Sequence, residues 1–264
     1  MKFKRKQLVI PYALFLFLFV IIPIALIFYY AFSDINGHLS FAALVNFFTS
    51  TTKLKVLLVS FFVGLLNTAL CLIIGFPLAY FLARKKYNKN TILVMLFVMP
   101  MWINFVLRTG ATRDLLDWMN LSGGKYPYLA TMIGMVYNFL PFTILPLYST
   151  MLNLDQSQIE AAADLGANPL QVFTKTIIPQ TLPGLVSAST MVFMPTMSSY
   201  VIADVLSEGQ ISLFGSSIYL HFSNSQWNEG SFMALIMLFI VGISLLISNY
   251  FNKKKVNEKG DQGW

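Results

Sequence analysis

The chain has 264 residues, of which 56% are hydrophobic and only 11% are charged, and its net charge is +7. Soluble domains contain about 25% charged residues. This composition, with a mean hydropathy of +0.67, therefore excludes an ordinary water-soluble domain and predicts a membrane protein. The single cysteine, Cys71, excludes a disulfide within the chain.

The apolar residues fall into six long runs that predict membrane-spanning helices. The runs lie at about residues 8–32, 56–83, 91–107, 128–151, 182–205 and 232–251. A spanning helix needs about 20 residues, and each run comes near or above that length. The first run follows the basic sequence MKFKRK. It is too long for a cleavable signal peptide and no A-x-A site follows, so we expect it to be retained. Residues 1–264 are thus predicted to form a single membrane domain.

The basic residues predict the orientation of these spans. Six spans place both termini on one side, and thirteen of the eighteen Lys and Arg residues fall in segments on that side. Because basic residues are enriched in cytoplasmic segments, we predict that both termini are cytoplasmic. The segment 152–181 is then a cytoplasmic loop, and the charged tail 252–264 is expected to be disordered. Topology accounts for the positive charge, which argues against a nucleic-acid partner.

Further charged residues fall in three predicted external segments, 33–55, 108–127 and 206–231. Four of them are expected to form a solvated external loop: Arg108, Arg113, Asp114 and Asp117. The two histidines, His38 and His221, are also in external segments and have no companions at metal-ligand spacing. We expect them to be isolated surface residues.

The predicted cytoplasmic loop contains a polar stretch rich in small residues, EAAADLGANPLQVFTKTIIPQTLPG. Within it, Gly166 is able to adopt a left-handed conformation and close a first helix. Asn168 offers an N-cap, and Pro169 takes the favoured first position of a second helix. The pattern predicts a helix–turn–helix on the cytoplasmic face. Pro179 and Pro183 are expected to redirect the chain into the next span.

This loop resembles the EAA loop of ABC importer permeases. The resemblance lies in the string Glu160-Ala161-Ala162, in Gly166 four residues later, and in the pair Ile178-Pro179 downstream. The family pattern has Ile two residues before its Leu-Pro, whereas this sequence has Thr176 there and Ile178 in place of the Leu. These two differences from the family pattern affect only the side-chain packing where the loop ends.

The resemblance implies an all-α polytopic membrane protein with six transmembrane helices and the type I ABC importer permease fold. In that family the loop docks into a groove on a separate cytoplasmic ATPase. The residues expected to make this coupling contact are Glu160, Ala161, Ala162, Asp164, Leu165, Gly166, Leu170 and Phe173. The chain has no G-x-x-x-x-G-K-[ST] sequence for binding phosphate. ATP and Mg²⁺ are therefore expected on the partner ATPase, and this chain is expected to have no catalytic residue, cofactor or metal.

Three further stretches resemble spermidine/putrescine permeases. They are MPMWIN (99–104), FLPFTILPLYSTMLNLD (139–155) and YVIADVLSEGQ (200–210). The resemblance implies a bacterial cell membrane and a polyamine cargo. The implied partners are a second, related permease, two copies of an ABC ATPase and an extracellular polyamine-binding protein.

A polyamine is a flexible methylene chain that carries several ammonium groups. Its path needs aromatic faces for cation–π and apolar contact, and a few carboxylates. Asp204 lies near the external end of the fifth predicted span and is the expected ammonium partner. Glu208 follows by about one helical turn and is expected on the same face. The expected wall or gate is formed by Trp102, Tyr137 and Tyr200.

Three alternatives remain open from the sequence. The first is a permease of a related ABC importer for another small solute. The second is a membrane enzyme, which would need a nucleophile–base pair or metal ligands at membrane depth. The chain has neither H-E-x-x-H nor G-x-S-x-G, which argues against this class. The third is an ATP-independent secondary transporter. Charged residues in the middle of several spans would favour this class, and the predicted spans lack them.

Overall fold

The computed structural model describes residues 9–34, 37–84 and 92–261, and for residues 9, 10 and 251–261 it describes the backbone alone. Within these ranges the regular secondary structure is helical, apart from an isolated bridge between Ser33 and Leu39, and loops connect the helices. The helices are α1 (Val9–Leu16), α2 (Ile22–Ala31), α3 (Ala42–Thr49), α4 (Thr51–Ala83), α5 (Ile92–Val98), α6 (Phe105–Trp118), α7 (Pro127–Leu152), α8 (Gln156–Asp164), α9 (Pro169–Val172), α10 (Ile178–Ser198), α11 (Val201–Leu206), α12 (Phe214–Ser223) and α13 (Trp227–Asp261). The basic clusters at 2–6 and 85–89, which helped to predict the orientation, lie outside the described residues.

Five helices are long and apolar enough to cross a membrane. They are Pro11–Ala31, Thr51–Ala83, Pro127–Leu152, Pro169–Ser198 and Trp227–Tyr250. The sixth candidate is a pair of helices, Ile92–Trp102 and Phe105–Trp118, which meet at an angle of 97°. The structure thus supports five spans, or six when the bent pair is one broken span.

Three segments differ from the sequence-based expectation. The span expected at 91–107 is broken near Ile103, because Pro100 lacks an N–H for a continuous ladder and Asn104 caps a new helix. The helix of the span expected at 182–205 already begins at Pro169 and ends at Ser198. Helix α13 continues to Asp261, since no proline interrupts it after Trp227. The tail expected to be disordered is thus helical as far as Asp261, and residues 262–264 lie outside the described residues.

The described residues divide into two units. The first contains the residues up to Leu57 together with Ser217–Val241. Its core is aromatic, with the buried ring of Phe47 5.8 Å and that of Phe32 6.2 Å from the ring of Phe232.

A group of polar side chains lies in the same unit, around Glu229. The Glu229 carboxylate accepts hydrogen bonds from Lys53 Nζ and Asn46 Nδ2, each at 2.5 Å. His221, expected to be isolated, has its Nδ1 3.8 Å from Glu229 Oε2. The ion pair and the amide hydrogen bond tie the start of α4 and the end of α3 to the start of α13.

The second unit contains Leu58–Ser216 and the residues from Gly242 on. Helix α7 lies at its centre and packs against α10, α6 and α11. One apolar cluster forms around Met135 and Phe139, and another around Leu147 and Ala188. Since lipid gives helices little hydrophobic reason to associate, close packing between them matters more than in water.

Gly184 lets α10 approach α7 closely. A Cβ added at Gly184 would lie 2.5 Å from Thr150 Oγ1 and 3.2 Å from the carbonyl oxygen of Pro146. Thr150 is itself held, because its Oγ1 donates to the same Pro146 carbonyl at 2.9 Å. A side chain at 184 therefore needs the two helices to move apart.

We expect Gly184→Ala to lower the free energy of unfolding by about 1–3 kcal/mol, because the added methyl group overpacks this contact. The measurement is thermal unfolding of the purified protein in detergent. Gly242→Ala is the matched control, since a Cβ there meets nothing within 4 Å and alanine favours the helix. Equal melting temperatures for the two variants would contradict the packing argument.

Candidate functional site

The break in the third span is built by a short run of backbone changes. Helix α5 tightens into a 3₁₀ turn at Met99–Trp102, and Ile103 is then extended with φ −80° and ψ 137°. The side chain of Asn104 accepts a hydrogen bond from the N–H of Val106 at 2.9 Å. This N-cap starts α6 in a new direction.

Arg108 is buried beside the break, with 7% of its surface exposed. Its Nε donates to Asn138 Oδ1 on α7, and its Nη1 donates to the carbonyl oxygen of Pro100, both at 2.7 Å. The guanidinium carbon also lies 5.6 Å from the centre of the Tyr137 ring. The expectation that Arg108 belongs to a solvated external loop is wrong, because the bend turns the first helical turn of α6 towards α7.

A cavity of about 480 Å³ opens at this break. It is lined by three parts of the second unit: Met101–Phe105 with Arg108, then Asn138, Phe139 and Phe142 of α7, and finally Pro195 with Ser198–Ile202. Its volume is in the range of small-molecule sites. Aromatic rings form much of its wall, and amide and hydroxyl groups are interspersed among them.

The structure brings together only part of the expected substrate path. Trp102 and Tyr200 both line the cavity, and they are 84% and 42% exposed. Tyr137 is outside the lining and lies against Arg108 instead. Asp204 and Glu208 are exposed and do not line the cavity.

Asp204 and Glu208 also do not share a helical face. Asp204 lies in the first turn of α11, where the helix dipole favours a carboxylate. Helix α11 ends at Leu206, and Glu208 has a left-handed backbone with φ +53°. The expectation that Glu208 follows Asp204 on the same helical face is therefore wrong.

Charge in the cavity wall is positive. Among the described residues that line the cavity, Arg108 is the charged side chain and no carboxylate is present. Arg108 and Asn138 are thus site residues that the sequence analysis did not identify. A polar Asn in the apolar α7 needs a hydrogen-bond partner within the protein, and this requirement could have identified it.

A helical hairpin forms the second part of the candidate site. Asp155 caps α8, since its Oδ1 accepts from the N–H and the hydroxyl of Ser157 at 3.0 and 2.6 Å. These hydrogen bonds hold the pKa of Asp155 below its usual value. Gly166 has φ +82° and closes the turn after α8. The predicted first helix and its glycine turn are confirmed.

The second helix of the hairpin begins with a capping box. Asn168 Oδ1 accepts from the N–H of Gln171 at 2.8 Å, and Gln171 Oε1 accepts from the N–H of Asn168 at 3.0 Å. Pro169 occupies the first turn, as predicted. The sequence thus specifies both where the second helix starts and which way its first turn points.

The hairpin leads into α10 without a break in the helix. A π turn at Phe173–Ile177 connects α9 to α10, so that Pro169–Ser198 is one helix of 30 residues. The expectation that Pro179 and Pro183 redirect the chain is wrong. A proline ring meets the carbonyl four residues earlier, and for Pro179 that carbonyl, of Lys175, lies within the wider π turn.

Most of the predicted coupling residues are on the surface of the hairpin. Leu165 is 89% and Leu170 is 70% exposed, on either side of the turn. The other exposed members of the set are Glu160, Ala161, Asp164 and Gly166. The hairpin therefore presents two large apolar side chains close to two carboxylates.

Two members of the coupling set face the protein instead. Ala162 and Phe173 are half-buried and pack against the cluster around Leu147. The Phe173 ring makes edge contacts with Phe76 and Tyr80, at 5.4 and 6.0 Å between ring centres. These side chains anchor the hairpin to α4 and are not part of its exposed surface.

Gln180 on α10 holds the other end of the hairpin. Its Oε1 accepts from the N–H of Asp155, and its Nε2 donates to Gln158 Oε1, each at 3.1 Å. Together with Phe173 it fixes α8 and α9 to the long helix. Gln180 was not among the predicted site residues, because a lone glutamine near a loop has no distinguishing pattern.

Residues 7–258 match the family described as "Binding-protein-dependent transport system inner membrane component". This chain belongs to that family. It is therefore a membrane transport component and not an enzyme.

Several relatives of this transport component are named for the substrates spermidine and putrescine. The spermidine/putrescine transport system permease protein PotB of Escherichia coli (strain K12) is 32% identical over 219 residues, which cover 76% of this chain and 80% of the relative. The protein of the same name from Haemophilus influenzae is 33% identical over 204 residues, covering 72% and 71%. A PotB homolog of Mycoplasma genitalium is 29% identical over 238 residues, covering 82% and 79%.

Solved structures show the same fold. A crystal structure of a bacterial ABC transporter involved in the import of the acidic polysaccharide alginate matches with a TM-score of 0.69 at 15% identity, over 94% of both chains. A second, of a bacterial alginate ABC transporter in complex with alginate pentasaccharide-bound periplasmic protein, matches with a TM-score of 0.67 at 13% identity, over 94% and 93%. The predicted fold class, an all-helical ABC importer permease, is confirmed.

We expect Asn168→Ala to destabilise the start of α9 by about 1 kcal/mol, because the capping box is lost. The measurement is amide hydrogen exchange of Leu170, Gln171 and Val172, since Pro169 has no N–H, and it should accelerate. Asn168→Ser keeps an oxygen that accepts from the Gln171 N–H and should exchange as the parent does. If the two variants exchange alike, the cap does not determine where the helix begins.

Proposed function

We propose that this chain is a permease subunit of an ATP-driven importer of polyamines such as spermidine and putrescine. In this proposal it pairs with a second, related permease, binds two copies of a cytoplasmic ABC ATPase and receives cargo from an extracellular binding protein. ATP and Mg²⁺ are bound by the ATPase. The importer lies in the bacterial cell membrane, and both termini of this chain are cytoplasmic.

The observation that carries the proposal is the single helix from Pro169 to Ser198. Its first turn belongs to the exposed hairpin, and Ser198 at its other end lines the cavity. Thirty residues of helix span roughly 45 Å. A displacement of the hairpin by an ATPase would therefore be transmitted along one continuous helix to the wall of the cavity.

The hairpin has the properties of a docking surface. Leu165 and Leu170 are exposed to an extent that costs free energy unless a partner covers them, and the nearby Glu160 and Asp164 suit basic groups on that partner. Phe173 and Gln180 fix the hairpin to the rest of the unit, so that its motion is not lost in local bending. Docking at this surface would drive the alternating access expected of such a transporter.

The choice of polyamine rests on the relatives and on the cavity wall. Relatives at 32–33% identity are named for spermidine and putrescine. Trp102, Tyr200 and three phenylalanines supply faces for methylene and ammonium groups. Asp204 and Glu208, outside the cavity lining, are proposed to attract the cationic cargo before it enters.

A second candidate is an importer of another small solute. The buried Arg108 guanidinium favours it, because a positive charge in the cavity wall opposes a cation. Ligand-stimulated ATP hydrolysis by the assembled importer, compared across spermidine, putrescine and uncharged or anionic solutes, decides between the two. ATP hydrolysis that is stimulated by the polyamines and not by the other solutes supports the first proposal.

Leu165→Asp is expected to lower uptake by at least about ten-fold, because a central apolar anchor of the docking surface becomes charged. Co-purification of the ATPase should fall in parallel, while the amount of inserted permease stays constant. Leu39→Asp is the control. Leu39 is exposed to a similar extent, at 80%, but lies in a segment predicted to be external. Retained ATPase binding in Leu165→Asp would contradict docking at the hairpin.

Asp204→Asn is expected to lower polyamine uptake about three-fold at low salt and less at high salt, because screening weakens the attraction of a distant charge. Uptake at several ionic strengths is the measurement. Asp114→Asn on α6 removes another exposed carboxylate and serves as control. Equal uptake and equal salt dependence in the two variants would remove Asp204 from the path.

A further inference from the structure

The bend between α5 and α6 leaves backbone groups that need partners. The carbonyl oxygen of Pro100 accepts from the N–H of Ile103 at 3.2 Å and from Arg108 Nη1 at 2.7 Å. Arg108 is on the far side of the bend, in the first turns of α6. A side chain of the second helix thus bonds to the backbone that ends the first.

The same guanidinium binds a third helix. Arg108 Nε donates to Asn138 Oδ1, while Asn138 Nδ2 donates to the carbonyl oxygen of Gly134 on its own helix. The amide is therefore oriented, with its oxygen towards Arg108. Because the guanidinium is planar and its donors are fixed, both acceptors must keep their positions for both bonds to form.

Neutral groups compensate the buried charge. The ion pairs within the described part of the chain join Lys53 or His221 to Glu229 and Arg113 to Asp117, and none involves Arg108. A buried cation is costly unless it is fully hydrogen-bonded. Loss of either acceptor therefore favours a rearrangement of the break over retention of the observed bend.

We propose that Arg108 is a positioning residue. By bridging Pro100 and Asn138 it holds the 97° bend between α5 and α6, and so keeps the cavity in the shape that cargo enters. We call Arg108, Asn138 and the Pro100 carbonyl the clasp. The clasp follows from the geometry alone, and its effect on uptake rests on the proposed function.

The test measures the cavity and transport separately. Ser199→Cys places a thiol in the cavity lining, and the parent chain gives the background because its own Cys71 is buried. Labelling by N-ethylmaleimide is followed in membranes that contain the assembled importer, together with polyamine uptake. Arg108→Lys keeps the charge but cannot reproduce the two-pronged geometry.

We expect Arg108→Lys to slow labelling at position 199 and to lower maximal uptake, each by about ten-fold, because two hydrogen bonds to a charged group are disturbed. Arg113→Lys is the matched control, since Arg113 is on the same helix but half exposed, and it should match the parent in both measurements. Reduced uptake with unchanged labelling would overturn the clasp, because Arg108 would then act without shaping the cavity. Unchanged values of both would overturn it as well.

Asn138→Leu gives an independent test that does not depend on the folding of Arg108→Lys. It removes the second acceptor and should slow labelling as Arg108→Lys does. The double variant should be no slower than either single one, because all three break the same clasp. Normal labelling in Asn138→Leu, or additive slowing in the double variant, would overturn the proposal. If the labelling results are as expected but polyamines do not stimulate ATP hydrolysis by the importer, only the proposal of a polyamine cargo is refuted.

Discussion

A broken helix in a membrane must find hydrogen-bond partners for the backbone that it frees, since lipid supplies none. In this chain the break at Pro100–Asn104 is compensated by the cap of Asn104 and by Arg108. The cavity exists because of this break, and its other walls come from α7 and from the junction of α10 with α11. A straight third span would satisfy its own backbone but would leave no such opening.

The long helix from Pro169 to Ser198 links the two parts of the candidate site. Its continuity is not what its composition suggests, since it contains Pro179, Pro183 and Pro195. The π turn at Phe173–Ile177 places a wider helical turn next to Pro179, and Thr181 Oγ1 donates to the carbonyl of Ile177 in the same region. Side-chain hydroxyls and a local change of pitch thus preserve a helix that prolines would otherwise break. The hairpin and the cavity wall thus lie on one continuous helix.

The sequence predicts local features well where a residue acts on its own neighbours. Gly166 and the Asn168-Pro169 step identified the hairpin, because a left-handed turn and an N-cap depend on adjacent residues alone. It predicts poorly where the outcome depends on distant partners. Arg108 looked like a loop charge because its acceptors are eight and thirty residues away, and Phe173 looked like a surface anchor because Phe76 is almost a hundred residues earlier. The bend at Pro100 also depends on distant partners. A proline in a span can kink or break the helix, so its presence in the sequence did not predict the bend.

The distribution of charge around the cavity suits the release of a cation more than its retention. The carboxylates Asp204 and Glu208 are exposed, whereas the cavity wall carries the guanidinium of Arg108. A carboxylate in the wall would bind a polyamine tightly, and a transporter needs a site that is favourable enough to enter and weak enough to leave. Aromatic faces provide weak, non-directional attraction, and the fixed positive charge limits the total. On the proposed function, affinity for the polyamine would therefore belong mainly to the external binding protein, and this chain would provide a passage.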